Sequence, residues 1–172
     1  MGAAAAQPVH GGLDGMLAPR TMINMVIRPV AEGDEARWRE LWDAYTRFYE
    51  RKPVEEVTRH TWARILDPQA PVSAIVAEHA DAGVIGIANY VIQESTSALT
   101  PGCYLQDLFV DPQARANGVG RALIDWLWAE VQRQGWSRLF WNTKENNYRA
   151  RALYDTYTPH SGFLRYVLDN PD

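Results

Sequence analysis

The stretch CYLQDLFVDPQARANGVGRALIDWL, residues 103–127, decides how this chain is read. Its first eight residues are apolar and β-prone, and Asp111-Pro112 stops them, so a strand is expected over 103–110. From Gly118 to Gln134 the apolar positions Val119, Ala122, Leu123, Trp126, Leu127 and Val131 follow a helical period, and Gly135 ends the helix. Between strand and helix lie Asn117, Gly118 and Gly120, flanked by Arg115 and Arg121. The N–H groups of a helix's first turn have no intrahelical acceptor, and the helix dipole adds about half a positive charge there. Glycines let an anion approach the backbone. The stretch therefore reads as an anion cradle suited to a pyrophosphate. Taken alone, a Gly-x-Gly is equally a turn with solubilising arginines. A dinucleotide fingerprint needs a third small residue where Leu123 stands, and a P-loop needs Gly-Lys-Ser/Thr, which is absent.

The segments on either side supply the rest of the fold. MVIRPV (25–30) reads as a strand, and Asp34 is placed to cap a helix bearing Trp38, Leu41, Trp42, Tyr45, Phe48 and Tyr49 on one face. Pro53 interrupts. A second helix is expected from Val54 to Leu66 with Val57, Trp62 and Ile65 buried. VSAIVAE (72–78) and VIGIANYVIQ (84–93) form a hairpin about Asp81–Gly83. SRLFWNT (137–143) is a further strand, Asn147 to about Thr158 a helix, and GFLRYVL (162–168) a last strand. The expected architecture is α/β on one mixed sheet, β-α-α-β-β-β-α-β-α-β, with a parallel crossover in the middle. One domain spans 22–172 after a Gly- and Ala-rich extension over 1–21, which lacks the pattern of a signal peptide.

Composition narrows the function. The formal charge is −4 and no basic run occurs, which argues against a nucleic-acid surface and favours a cationic substrate. The lone Cys103 permits no intrachain disulfide, so a reducing, cytoplasmic setting is expected. No apolar run is long enough for a membrane span, and no His/Cys/Asp spacing suggests a metal.

The run 104–127 resembles the central motif of the GNAT acetyltransferase superfamily. In that motif a strand ends in Leu/Phe-Val and leads to Arg/Gln-x-x-Gly-x-Gly/Ala at a helix start. Here these are Leu108-Phe109-Val110 and Arg115-Ala116-Asn117-Gly118-Val119-Gly120. A second block, NYRARALYDTYTPHSGF (147–163), is similar to the family's later pattern at Asn147, Ala150, Leu153, Tyr154, Gly162 and Phe163, with a longer interval from Tyr154 to Gly162. IRPVAEGDEARWRELW (27–42) resembles the family's first strand and helix. Within the superfamily the diamine and polyamine acetyltransferases, and small histone- and polyamine-acetylating relatives, look most alike.

The resemblance implies acetyl-CoA as co-substrate and direct transfer of its acetyl group to a primary amine. The pyrophosphate would rest on Arg115–Gly120, with Arg121 adding charge. The pantetheine would pair with the backbone of Leu108–Val110 where two parallel strands splay apart. Tyr154 would be the acid that protonates the departing thiolate, although by spacing alone it is a tyrosine on an apolar helix face; Tyr157 is the weaker candidate. Asn147 would contact the pantetheine, cap its helix, or both.

The base is open. Relatives often have Glu at the position of Gln106, whose amide cannot take a proton. Alternation points Asp107 to the opposite face from Gln106, so it serves only if a β-bulge re-aims it. Water leading to Glu50, Glu55 or Glu56 is another route. Tyr49, Glu50 and Trp141 are the expected borders of the acceptor pocket. A small cationic amine (diamine, polyamine or amino acid) is the expected acceptor, and a homodimer the expected assembly. A non-catalytic acyl-CoA sensor and a protein lysine or N-terminal acetyltransferase are the alternative readings.

Overall fold

A computed structural model describes residues 24–170; the extension expected at 1–21 lies outside them. Five strands, β1 (Met25–Pro29), β2 (Val72–His79), β3 (Gly83–Gln93), β4 (Gly102–Val110) and β5 (Leu139–Trp141), lie side by side in chain order. The pairs from β1 to β4 are antiparallel, and β4–β5 is parallel. Helices α1 (Glu35–Phe48) and α2 (Glu55–Leu66) cover one face. Helix α3 (Val119–Gln134) makes the β4-to-β5 crossover on the other face, joined there by the short α4 (Tyr148–Tyr154).

Each face has its own core. Trp38, fully buried in α1, stacks on Trp42 at 5.4 Å and meets Trp62 of α2 at 5.1 Å. These rings pack on Val72, Ala74, Val76, Ile87 and Phe109 of the sheet. On the opposite side Val119, Leu123, Ile124, Leu127 and Val131 of α3 bury Ile75, Ala77, Ala88, Cys103 and Leu105. Cys103 is fully buried, and burial pushes its thiol up to about 12, so it behaves as a small apolar residue. The start of α3 sits close to the sheet because Gly86 has no side chain. A Cβ there would meet Val119 Cγ1 at 3.0 Å and the Phe109 carbonyl oxygen at 3.3 Å.

Four expectations are corrected. Val57 is 53% exposed; the buried face of α2 runs from Trp62 and Ile65 through Thr58 and Thr61, and Val57 lies off it. The Asp34 side chain does not cap α1. It accepts from the Ala31 N–H at 2.8 Å and pairs with Arg28 at 2.7 Å, tying β1 to the turn before the helix. Residues 162–168 form no strand. A strand needs an adjacent edge to pair with, and β5, the outer strand on that side, is only three residues long. The chain leaves α4 through Pro159 and the left-handed Gly162 (φ 79°) and leaves Phe163, Leu164, Tyr166 and Leu168 exposed. Helix α4 also stops at Tyr154 rather than near Thr158.

Gly86→Ala should lower the unfolding free energy by about 1–3 kcal/mol, because the added methyl overpacks against α3. Chemical denaturation would read this as a lower midpoint, and an unchanged midpoint would show that α3 can shift freely.

Candidate active site

Strands β4 and β5 pair only at Cys103–Leu139, Tyr104–Phe140 and Leu105–Trp141. Beyond Leu105 the second strand ends, so Gln106–Val110 keep β3 on one side and have no strand on the other. A free strand edge presents N–H and C=O groups to an extended ligand. The splayed pair implied by the sequence resemblance is therefore present.

At the top of that edge Asp111 ends the strand. It accepts from the Gln113 N–H at 2.9 Å and pairs with Arg37 of α1 at 2.5 Å. These donors hold its carboxyl below the usual range. The loop then passes through two left-handed residues, Ala116 (φ 67°) and Gly118 (φ 82°), before α3 begins. Turns of this hand gather successive N–H groups into an anion-binding concavity. Among the described residues the amides of 115–121 donate to no carbonyl or side chain. The cradle read from the sequence is thus open, as a diphosphate site requires.

The charged groups around the loop differ from the expected set. Arg115 lies 5.3 Å over the Phe109 ring and donates to the Val110 carbonyl at 3.1 Å. Burial and the nearby guanidinium of Arg149 both lower its pKa. Two neighbouring guanidiniums disfavour each other unless an anion joins them, so α4 contributes Arg149, which sequence reasoning missed. Arg121 instead turns to α4, donating to Thr156 Oγ1 at 2.9 Å and lying 5.2 Å over the Tyr157 ring. The Tyr157 hydroxyl donates to Asp125 at 2.6 Å, which commits this weaker acid candidate to joining α3 and α4. Gly120 faces the same junction; a Cβ there would touch Leu153 at 3.4 Å. Asn147 caps α4, accepting from the Ala150 N–H and donating to Thr143 Oγ1 at 3.2 Å.

Tyr154 reaches the lower end of the splay. Its ring packs 5.4 Å from Trp141, and its hydroxyl has no hydrogen-bond partner among the described residues. Burial, then the neighbouring Tyr49, pushes its pKa up to about 12, so it stays protonated at neutral pH. Trp141 and Tyr154 line a separate cavity of about 310 Å³ with Asn142 and Arg151, and neither lines the larger cleft described next.

A cleft of about 770 Å³ opens on the α1 side, lined by Tyr45, Tyr49, Tyr104, Gln106 and Asp107 among others. Asn89 pairs with Asp107 while Tyr90 pairs with Leu105, so Gln106 is an extra residue in β4. This bulge reverses the alternation. Cys103 and Leu105 face α3, whereas Asp107 and Phe109 face α1. The condition under which Asp107 could serve is met.

Asp107 is 7% exposed. Burial raises its pKa, opposed by Tyr45, by Asn89 and by the charge of Arg51. The Trp38 indole N–H donates to Asn89 Oδ1 at 3.1 Å, which leaves the Asn89 amide N–H₂ to donate to Asp107 Oδ2 at 3.2 Å. The core tryptophan thus fixes which end of Asn89 the carboxylate meets. Glu50 is exposed and does not line the cleft, whereas its neighbour Arg51 does. Glu55 pairs with Arg39, and neither it nor Glu56 lines the cleft.

Residues 35–157 match the model of the acetyltransferase (GNAT) family. The D-amino-acid N-acetyltransferase HPA3 of Saccharomyces cerevisiae is 32% identical over 139 residues, covering 79% of this chain and 86% of that protein. An uncharacterized N-acetyltransferase of Bacillus subtilis, YhfO, is 28% identical over 149 residues, 86% of this chain and 99% of its own. Among solved structures, AAC(6')-Iy in complex with a bisubstrate analog, CoA-S-monomethyl-acetylneamine, superposes with a TM-score of 0.73 at 18% identity, over 86% of this chain and 99% of that one. The resemblance to the diamine and polyamine branch gains nothing here, since the yeast relative is named for D-amino acids. Family match, splayed strands and open cradle agree: the chain belongs to the GNAT acetyltransferase family and is an acetyl-CoA-dependent N-acetyltransferase.

Proposed function

We propose that this enzyme acetylates a small-molecule primary amine bound in the Tyr45–Tyr49–Asp107 cleft, with Asp107 as base and Tyr154 as acid. The observation that carries the reading is that the two groups flank one splay. Asp107 follows the bulge where β4 loses β5 and lines the cleft on the α1 side, and Tyr154 packs on Trp141, the last β5 residue paired with β4, with Tyr49 of the cleft nearby. The yeast relative's D-amino acids and the aminoglycosides of structural neighbours are small amines compatible with such a cleft.

The cradle amides at 116–120, with Arg115 and Arg149, would hold the diphosphate of acetyl-CoA. The free edge of Leu108–Val110 would align the pantetheine. An ammonium substrate loses a proton to Asp107, and the neutral nitrogen attacks the thioester carbonyl. A backbone N–H of the open β4 edge can polarise that carbonyl as charge builds on its oxygen. The C–S bond breaks, and the Tyr154 hydroxyl gives its proton to the thiolate sulfur. The nitrogen passes its second proton to the Tyr154 phenolate, and Asp107 releases the proton it took to solvent, so both side chains return to their starting states. Gln106 kept a non-catalytic sensor in view because its amide takes no proton. Asp107, turned into the cleft by the bulge, supports turnover instead.

Three outcomes are expected. Gly118→Val should weaken CoA binding about tenfold or more, because a β-branched residue resists positive φ. Calorimetric titration with CoA reads this, and equal affinity would remove the loop from the site. Tyr154→Phe should lower kcat about 100-fold with little change in CoA affinity; an unaltered rate would eliminate the proposed acid. The third concerns pH. Asp107 must be ionised to act, so kcat/KM should rise as pH passes its raised pKa. Tyr154 stays protonated until about 12 and imposes no fall before then. Asn89→Leu removes a donor that favours the carboxylate and should move the acid limb up by about one pH unit. A limb that stays in place would assign the base elsewhere.

A further inference from the structure

The cleft has a charge opposite to that of the chain. The whole sequence carries −4, yet the lining holds Arg51, Lys144, Arg151 and Arg165 against only Asp107 and Glu145. Among the described residues none of these four cations is in a salt bridge. A polyamine would bring further positive charge into this setting. Like charges close together in a partly desolvated cleft repel, so the lining does not suit the cationic acceptor suggested by the net charge.

Arg51 is held in position. Its guanidinium carbon lies 5.8 Å from the Tyr45 ring centre and 5.9 Å from that of Tyr49, and Lys144 Nζ lies 5.6 Å over the same Tyr49 ring. The backbone there is specified too. Helix α1 ends with the Arg51 N–H donating to the Thr46 carbonyl at 3.1 Å and the Glu50 N–H to the Arg47 carbonyl at 2.9 Å. This double bond pattern places the residue between in the left-handed region, which glycine prefers. Glu50 occupies it at φ 59°. Backbone strain of this kind persists where the surroundings demand it, often at ligand sites. Here it delivers the next residue, Arg51, into the cleft.

Arg51 also acts electrostatically on Asp107 without forming an ion pair with it. A buried carboxylate and an aromatic-bound guanidinium thus share one cleft with space between them. That is the complement of a molecule bearing an ammonium and a carboxylate on neighbouring atoms.

We propose that the acceptor is a free α-amino acid, whose carboxylate is received by Arg51, with Lys144 in support, while its amine faces Asp107. This rests on the acetyl-transfer reading above and adds the acceptor class and the residue that selects it. Guanidinium binds carboxylate through two parallel N–H donors, so it fixes the direction of the amine as well as the affinity. The surrounding tyrosines favour an apolar or aromatic side chain.

The test compares phenylalanine, each enantiomer separately, with phenylalanine amide, phenethylamine and spermidine, following CoA thiol release from acetyl-CoA. The better phenylalanine enantiomer should exceed the amide, phenethylamine and spermidine in kcat/KM by about 10- to 100-fold. Arg51→Met should erase most of that advantage through a raised KM for phenylalanine, lowering kcat/KM for phenylalanine far more than for phenethylamine. Arg51→Lys, which keeps the charge and loses the fork, should fall between. Equal or better turnover of phenethylamine, the amide or spermidine by the native enzyme would overturn the proposal, as would a preference for phenylalanine that survives both substitutions. Calorimetric titration of phenylalanine into the CoA complex separates the two readings. Binding that depends on Arg51 without thiol release from any amine would sink the catalytic reading and keep the carboxylate site. Absence of both binding and turnover of phenylalanine would overturn the site itself.

Discussion

The candidate site depends on one extra residue in β4. Strand side chains alternate between faces, so a regular strand through 103–110 would send Asp107 toward α3 with Cys103 and Leu105. The bulge at Gln106 shifts the count by one and turns Asp107 and Phe109 toward α1. It lies just where β4 loses its parallel neighbour. The same stretch of backbone therefore leaves a strand edge unpaired and brings a carboxylate to the cleft on the α1 side. Bulges occur next to active sites for this reason, since they re-aim a side chain and end a pairing together.

The buried carboxylate is kept by the core around it. Burial disfavours its charged form, and donors from Asn89 and Tyr45 recover part of that loss. Asn89 is oriented in turn by Trp38, whose ring is stacked within the aromatic cluster of α1 and α2. The apolar packing that holds those helices on the sheet thus also sets the polarity of the group facing the proposed base. Stability and chemistry share residues here, and a change in the tryptophan cluster acts on both.

Much of this was legible in the sequence. The helical spacing of Val119, Leu123, Leu127 and Val131 located α3 and its buried face, and the glycine loop before it was recognisable as a run of unpaired amides. The bulge was not legible. Whether Gln106 is skipped depends on how β3 pairs with β4, and no residue in the strand announces it; the sequence could name only the condition under which Asp107 would count. Arg51 and Arg149 escaped notice because each lies beside a more conspicuous residue and matters through three-dimensional neighbours. The segment 162–168 has a strand's composition, yet pairing needs an edge, and the nearest strand is too short to offer one. Whole-chain charge says little about the acceptor, because most acidic residues lie away from the cleft.

The clasp between α3 and α4 has a mechanical consequence. Arg121 with Thr156, and Tyr157 with Asp125, bind the first turns of the crossover helix to the end of the short one. The start of α3, which follows the glycine loop, is therefore tied to the residues just after Tyr154. In the proposed reaction, the loop that would grip the diphosphate and the phenol that would protonate the sulfur are thus joined by these side chains.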